Sequence, residues 1–353
     1  MCLNWFWDLI FPWRFVEADL KQGDSMLKSY KKTRKREELL EALSSYNKAY
    51  SNSGEAYSQF PTIIINYAIA LHVFNEHFGA EKDQSADVIR LFNEALAIWD
   101  KKSPRPKGYP TVLINLGNAY MFQYHKTKAP GTVQHAIEAF DKARSLEDVP
   151  ISNTVRATSF VGSASAICIS CEQDKTLEDK QLDKAMIYLQ DAIALSEKAP
   201  NMQAECYRKL ASCHDVYYQR HPERTNDLNE AIIANKKALD LVEDHPTTLF
   251  NLSKEYFARY AATKEQGDLE LAESTAEEVQ ESAEEVSALG IKVRDLQRKI
   301  KAYKEQGSTM LSRDTMLSVS SMDSGIEQSP NGVGDAMISS EKVLTAEPEE
   351  IRH

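Results

Sequence analysis

Apolar residues recur at every third or fourth position along most of this 353-residue chain, the spacing of one face of an α-helix. In "VLINLGNAYMFQY" (112–124) Leu113, Leu116 and Tyr120 share such a face, and Ile114 and Met121 are also apolar. Gly117 interrupts the run. A glycine inside a helix costs about 1 kcal/mol relative to alanine, so its presence asks for a packing reason. The alternating runs of β-branched and aromatic residues that mark strands are almost absent. With only 13 glycines and 12 prolines, the connections between helices are expected to be short.

Sliding the Gly117 segment along the chain finds five relatives, at 17–30, 63–75, 157–169, 206–218 and 248–260. The glycine position is then filled by Gly23, Ala68, Gly117, Gly162, Ala211 and Ser253, at steps of 45, 49, 45, 49 and 42 residues. A second helical stretch follows each copy and ends on another small residue: Ala49, Ala95, Ala143, Ala192 and Ala238, with Val279 in the sixth. Seven places before it stand Ala42, Val88, Ala136, Ala185, Ala231 and Ala272; three places before it stand Tyr46, Phe92, Phe140, Leu189, Asn235 and Ala276. Offsets of three, four and seven lie on one helix face. Small residues let two helices cross closely, and a larger neighbour fills the hole beside the crossing. Pro61, Pro110, Pro150, Pro200 and Pro246 lie at or just before a first helix, a favoured place for proline.

The order Gly117, Ala136, Phe140, Ala143 resembles the tetratricopeptide repeat (TPR) signature, and the spacings of four and three match it. The gap between the two helices is about seven residues longer than in that family. Segments such as "YYQRHPERTNDLNEAI" (217–232) are similar to the long repeats of fungal TPR arrays, some attached to nucleotide-binding or caspase-like domains. The resemblance implies an all-α, right-handed α-solenoid of about six helical hairpins with a capping helix. We expect an array over 17–290, a cap over 291–306 and a disordered, serine-rich tail over 307–353. Within the cap Ile291, Val293, Leu296, Ile300 and Tyr303 form the apolar series.

Residues 1–16 stand apart, holding Trp5, Trp7 and Trp13 in an apolar run broken by Asp8, Pro12 and Arg14. The run is shorter than the roughly 20 residues that span a bilayer. It reads as a lid on the first repeat, with an interfacial membrane anchor as the alternative. The basic run "KSYKKTRKR" (28–36) reads as a solvated hairpin turn or as help for such an anchor.

A net charge of −11 disfavours nucleic acid as a partner, since phosphate contacts need a basic face. Five cysteines, an odd number, with no evident cleavable signal point to reduced thiols in the cytoplasm. Cys168 and Cys171 form a CxxC, and Cys206 and Cys213 follow in the next first helix. A zinc site lacks the knuckle turns it would need. Cys213 also occupies a slot that holds Ser25, Ala70, Ala119 and Ala164, so these cysteines read as packing residues. No triad, phosphate loop or metal cluster is evident, and we expect no enzyme activity and no cofactor.

In the resembling family the first helices line a concave groove that binds a peptide or partner protein. Carried onto this chain, the groove positions lie six and three before the small residue and one after it. They are Thr62, Ile65 and Ile69; Thr111, Ile114 and Asn118; Arg156, Ser159 and Ser163; Glu205, Arg208 and Ser212. Two places before the small residue stand Asn66, Asn115 and Asn251, whose amides suit either a peptide backbone or a bridge to the adjacent repeat. Arg156 and Arg208 suit an acidic peptide. The implied function is a non-enzymatic interaction scaffold. A membrane-peripheral adaptor, or a regulatory piece of a nucleotide-binding or protease-linked system, is the alternative.

Overall fold

The structure, a computed structural model, describes residues 13–79, 84–243, 245–282 and 288–305. The expectations for residues 1–12 and for the tail 307–353 fall outside them. Thirteen α-helices and no strands occur among the described residues. They are α1 (Trp13–Thr33), α2 (Arg36–Ser51), α3 (Phe60–Phe78), α4 (Ser85–Asp100), α5 (Tyr109–Thr127), α6 (Pro130–Ser145) and α7 (Asn153–Gln173). There follow α8 (Lys180–Leu195), α9 (Pro200–Arg220), α10 (Thr225–Leu241), α11 (Pro246–Thr263), α12 (Gln266–Ser282) and α13 (Ala288–Glu305). The chain divides into two compact units, the first ending at Val155 and the second beginning at Arg156. Within the first unit α1–α2, α3–α4 and α5–α6 pair as hairpins, and within the second α9–α10 and α11–α12 do, each packing on the next. Phe160 of α7 meets Tyr188 of α8 with ring centroids 5.3 Å apart.

The repeat positions form the core. Ala42, Val88, Ala136, Ala185, Ala231 and Ala272 have no exposed surface, nor have Ala49, Ala95, Ala143, Ala192, Ala238 and Val279. Gly117 explains itself by what lies above it. A Cβ built there would sit 2.6 Å from Cε1 and 2.7 Å from Cζ of Phe140. At Gly23 the same construction meets Tyr46 Cε1 at 2.6 Å. Two copies thus use one device: a bare first-helix backbone beneath a second-helix ring. Phe140 and Tyr46 are themselves buried, so neither ring can swing aside at low cost.

The first helices also end alike. Arg34, Gly79 and Lys128 in the first unit, and Lys264 in the second, lie eleven residues after the small position and have left-handed φ angles of 57°, 55°, 55° and 66°. The amides of Arg34, Lys128 and Lys264 close onto the carbonyls of Tyr30, Tyr124 and Tyr260 at 2.7–2.8 Å. Each cation then lies 5.6–5.8 Å from the ring of that tyrosine. A non-glycine residue in this conformation costs about 1 kcal/mol, which the amide bond and a cation–π contact of about 0.5–1 kcal/mol offset. The basic run 28–36 therefore spans the end of α1, the two-residue turn at Arg34 and Lys35 and the start of α2, with Arg36 also over Phe74 and Phe78 at 5.7 and 5.9 Å.

In the second unit, the α7–α8 connection belongs to the copy with the longest spacing, 30 residues between small positions. Arg220 holds it down. Its guanidinium donates to the carbonyls of Leu177 (2.7 Å), Cys171 (2.6 Å) and Asp174 (2.8 Å) and to Asp179 Oδ1 (3.0 Å). At the end of that unit α13 buries Val293, Leu296, Ile300 and Tyr303, while Ile291 stays 53% exposed. Tyr303 meets Phe257 and Tyr260 edge-on, with centroids 5.4 and 5.7 Å apart.

The crossing yields a prediction. Gly117→Ala adds about 1 kcal/mol of helix propensity but overpacks Phe140 at a cost of about 1–3 kcal/mol. We expect net destabilisation in urea unfolding. Gly131→Ala, with nothing within 4 Å of its Cβ, serves as the control and is expected to be neutral or stabilising. Adding Phe140→Leu to Gly117→Ala should cost less than the two single changes summed.

Candidate binding cleft

The first helices of the last three hairpins, α7, α9 and α11, converge within the second unit on one polar cleft. Ala164, Ser165, Cys168, Ile169 and Glu172 come from α7; Lys209, Ser212, Cys213, Asp215, Val216 and Gln219 from α9; Thr247, Asn251, Lys254 and Glu255 from α11. Its open space is about 50 Å³. That is room for one or two water-sized groups at about 30 Å³ each, and far below the roughly 300 Å³ of small-molecule sites.

The floor is charged. Lys254 Nζ donates to Asp215 Oδ2 at 2.6 Å, joining α11 to α9, and Lys254 is 4% exposed. Burial favours the neutral amine. The Asp215 carboxylate, helped by Glu255 and Glu172, outweighs it and holds the ammonium above the ordinary lysine range. Glu255 is 2% exposed and accepts from Asn235 Nδ2 on α10 at 2.8 Å through Oε1. Its Oε2 has no hydrogen-bond partner. Burial, reinforced by Asp215, pushes Glu255 up to about 8 against the opposing pull of Lys254 and Asn235.

Beside the cleft, Glu205 Oε2 accepts from Arg208 Nη2 at 2.5 Å and from Nε at 3.0 Å, while Glu205 Oε1 lies 3.6 Å from Lys209 Nζ. Burial would raise Glu205, but Lys209 and Arg208 prevail and hold it at about 2. Arg208 therefore spends its charge within its own helix. The four cysteines among the described residues are buried and form no disulfide with one another. Burial pushes the Cys206 thiol up to about 12, with Glu205 adding to it, and it raises Cys171 as well. No group of three or more metal-ligating side chains occurs among the described residues.

The predicted groove residues distribute as follows. Ser212 and Asn251 line the cleft, and Glu205 and Arg208 flank it. Arg156 is exposed at the start of the second unit, whereas Ser159 and Ser163 are fully buried in α7. In the first unit Thr62, Asn66, Thr111 and Asn118 are half-buried; Ile65, Ile69, Ile114 and Asn115 are buried. Asn66 Nδ2 donates to Asp24 Oδ1 at 3.0 Å, and Tyr46 Oη donates to the same oxygen at 2.8 Å, so this amide bridges to the preceding repeat. Sequence reasoning passed over Lys209, Asp215, Thr247, Lys254 and Glu255. The register used for the groove does reach three of them: extended to the sixth copy it names Thr247 and Lys254, and Lys209 stands at the slot of Asn66, Asn115 and Asn251.

No family model and no curated protein sequence matches this chain. Among solved structures it is similar to a monomeric mutant of IFIT1 with Gppp-AAAA. The identity is 14%, with 93% of this chain and 62% of that chain covered, at a TM-score of 0.50. It is also similar to MamA (17% identity, 72% of this chain, 100% of that chain, TM-score 0.38). YrrB, "a TPR protein with an unusual peptide-binding site", matches at 17% identity over 71% of this chain and 97% of that chain, TM-score 0.38. At such identities the likeness bears on fold, and it meets six copies whose three second-helix repeat positions are all buried. The fold is tetratricopeptide-repeat-like. This TPR-like array departs from the usual pattern in its last three copies, where Leu189, Asn235 and Ala276 replace the ring; the last two are polar or small, and the charged cleft lies alongside.

Two predictions follow from the floor of the cleft. Asp215→Asn takes away the carboxylate bonded to the buried Lys254 ammonium and should cost about 3–5 kcal/mol, whereas Asp215→Leu with Lys254→Met should cost far less. For Glu255, the folded chain holds its proton more tightly than the unfolded chain between pH 4.5 and about 8. Stability from this group is therefore present below that window and lost as pH rises through it. Chemical unfolding at about pH 6 and about pH 9 should show a larger loss for the native chain than for Glu255→Gln.

Proposed function

We propose that the chain is a non-enzymatic interaction scaffold whose second unit binds a segment of a partner protein across α7, α9 and α11. The observation that carries this reading is the cleft. Three consecutive first helices bring polar, half-buried side chains to one surface, among them Ser165, Glu172, Ser212, Gln219, Thr247 and Asn251. Amides such as those of Asn251 and Gln219 both donate and accept, as an extended peptide backbone requires. The recess between them takes a single side-chain terminus, not a substrate or cofactor. The raised thiols of Cys171 and Cys206 offer no activated nucleophile. Four cysteines kept reduced accord with a cytoplasmic setting. No described helix is long and apolar enough to cross a membrane.

The test uses peptides selected from a random library on the full-length chain. Ser212→Arg with Asn251→Arg fills the cleft mouth without touching the repeat core. We expect the selected peptides to bind this variant about tenfold or more weakly, the size of one lost anchor. Equal affinity for both proteins, by calorimetry, would remove the cleft from the binding surface.

A further inference from the structure

We propose that the cleft is a lysine pocket: the side-chain ammonium of one partner lysine enters it and donates a hydrogen bond to Glu255 Oε2. This rests on the peptide-binding reading above and names the chemistry that reading leaves open.

Four observations converge on it. The first is the carboxylate itself. Glu255 lines the recess and is 2% exposed; its Oε1 is taken by Asn235, and its Oε2 is buried with no hydrogen-bond partner. A buried acceptor left unmade costs about 1–3 kcal/mol, more when charged, so an incoming N–H is rewarded there. The second is the state of the resident cations. Lys254 is bonded to Asp215 at 2.6 Å, and Lys209 is 3.6 Å from Glu205. Neither supplies the missing donor.

The third is charge. The ionisable groups around Glu255 are Glu172 on α7, Lys209 and Asp215 on α9 and Lys254 on α11, with the Asn235 amide from α10. Fully ionised, three carboxylates face two ammoniums, and one further positive charge balances them. The fourth is size and lining. An open space of about 50 Å³ accepts a compact ammonium more readily than a planar guanidinium fork. The walls of Ala164, Cys168, Ile169 and Val216 suit the methylene stem behind it.

The experiment is peptide selection on the full-length chain, with every library peptide acetylated at its N-terminus so that only side-chain amines are offered. The selected peptides are expected to share a lysine. Its replacement by norleucine should weaken binding about tenfold or more, and replacement by arginine should weaken it also. Since Glu255 must be ionised to receive the ammonium, affinity should rise about fivefold between pH 7 and 8, as the ionised fraction climbs from about one eleventh to one half. Glu255→Gln, which keeps the shape, should lose both the lysine preference and the pH step.

Selected peptides without a common lysine overturn the proposal, as does an unchanged preference in Glu255→Gln. If those peptides still fail to bind the Ser212→Arg, Asn251→Arg protein, the groove reading stands and only the lysine assignment falls. If no peptide is selected at all, both fall. Should Glu255→Gln not fold, the pH step and the norleucine comparison on the native chain decide the matter alone.

Discussion

The hairpins of the first unit depend on one close approach, seen most sharply at Gly23 and Gly117: a first helix with almost nothing at its midpoint beneath a second helix that carries a ring there. At Gly117 and Gly23 the separation is so small that even a methyl group would penetrate the ring of Phe140 or Tyr46. The small residues on either side of the ring, such as Ala136 and Ala143, bring the second helix down at the same point. Dispersion between a ring and a bare backbone is weak atom by atom and large in sum. It explains why the chain tolerates glycine where helix propensity alone disfavours it. Helices fixed at this distance leave little freedom in how hairpins stack, since each buries the apolar face of its neighbour.

The second unit shows what happens when the ring is withdrawn. In the fifth copy Asn235 takes the ring position, and it bonds to Glu255 on the next first helix rather than filling the crossing with carbon. In the sixth copy both positions change. Ser253 replaces the bare backbone and donates to the Ala272 carbonyl at 2.6 Å, and Ala276 replaces the ring. Polar bonds substitute for the lost packing there. The charged cleft opens beside these two copies, so the weakening of the repeat signature and the appearance of the site are the same event seen from two sides.

The fold was legible because it rests on periodic small residues, and periodicity survives in a single sequence. Ala42 and Ala49, or Ala136 and Ala143, announce their face by spacing alone. The end of each first helix was written less openly. The recurring tyrosine and the basic residue four places later emerge as a device only once the φ angles of Arg34, Lys128 and Lys264 are seen. The site divides along the same line. Ser212 and Asn251 follow from register. Asp215 and Glu255 do not, because what distinguishes them is a partner on another helix, 39 and 20 residues away: Lys254 for one, Asn235 for the other. The Arg208–Glu205 pair was open to view at a spacing of three. Such a pair withdraws an arginine from any partner, and a reading that looks outward from a groove overlooks it. Arg220 is the opposite case. The long α7–α8 connection was visible as a length, but its three carbonyl anchors were not.

Stability alone gives a poor account of the Lys254–Asp215 pair. Removing two charges from water costs several kcal/mol each, and their attraction repays this only with good geometry. Replacing such a pair with apolar side chains of similar volume is often neutral or stabilising. In the first unit the slot of Lys254 holds Ile69 and the slot of Glu255 holds Ala70 and Ala119, all buried, so these two positions do not need charge for the repeats to pack. A charged floor beneath an open recess makes sense when something polar completes it. The pair holds Lys254 away from Glu255, and the Asn235 amide occupies only one carboxylate oxygen. What remains is a single buried acceptor on a residue that lines the recess, in a place where water is scarce and where one hydrogen bond discriminates strongly between a partner that carries the donor and one that does not.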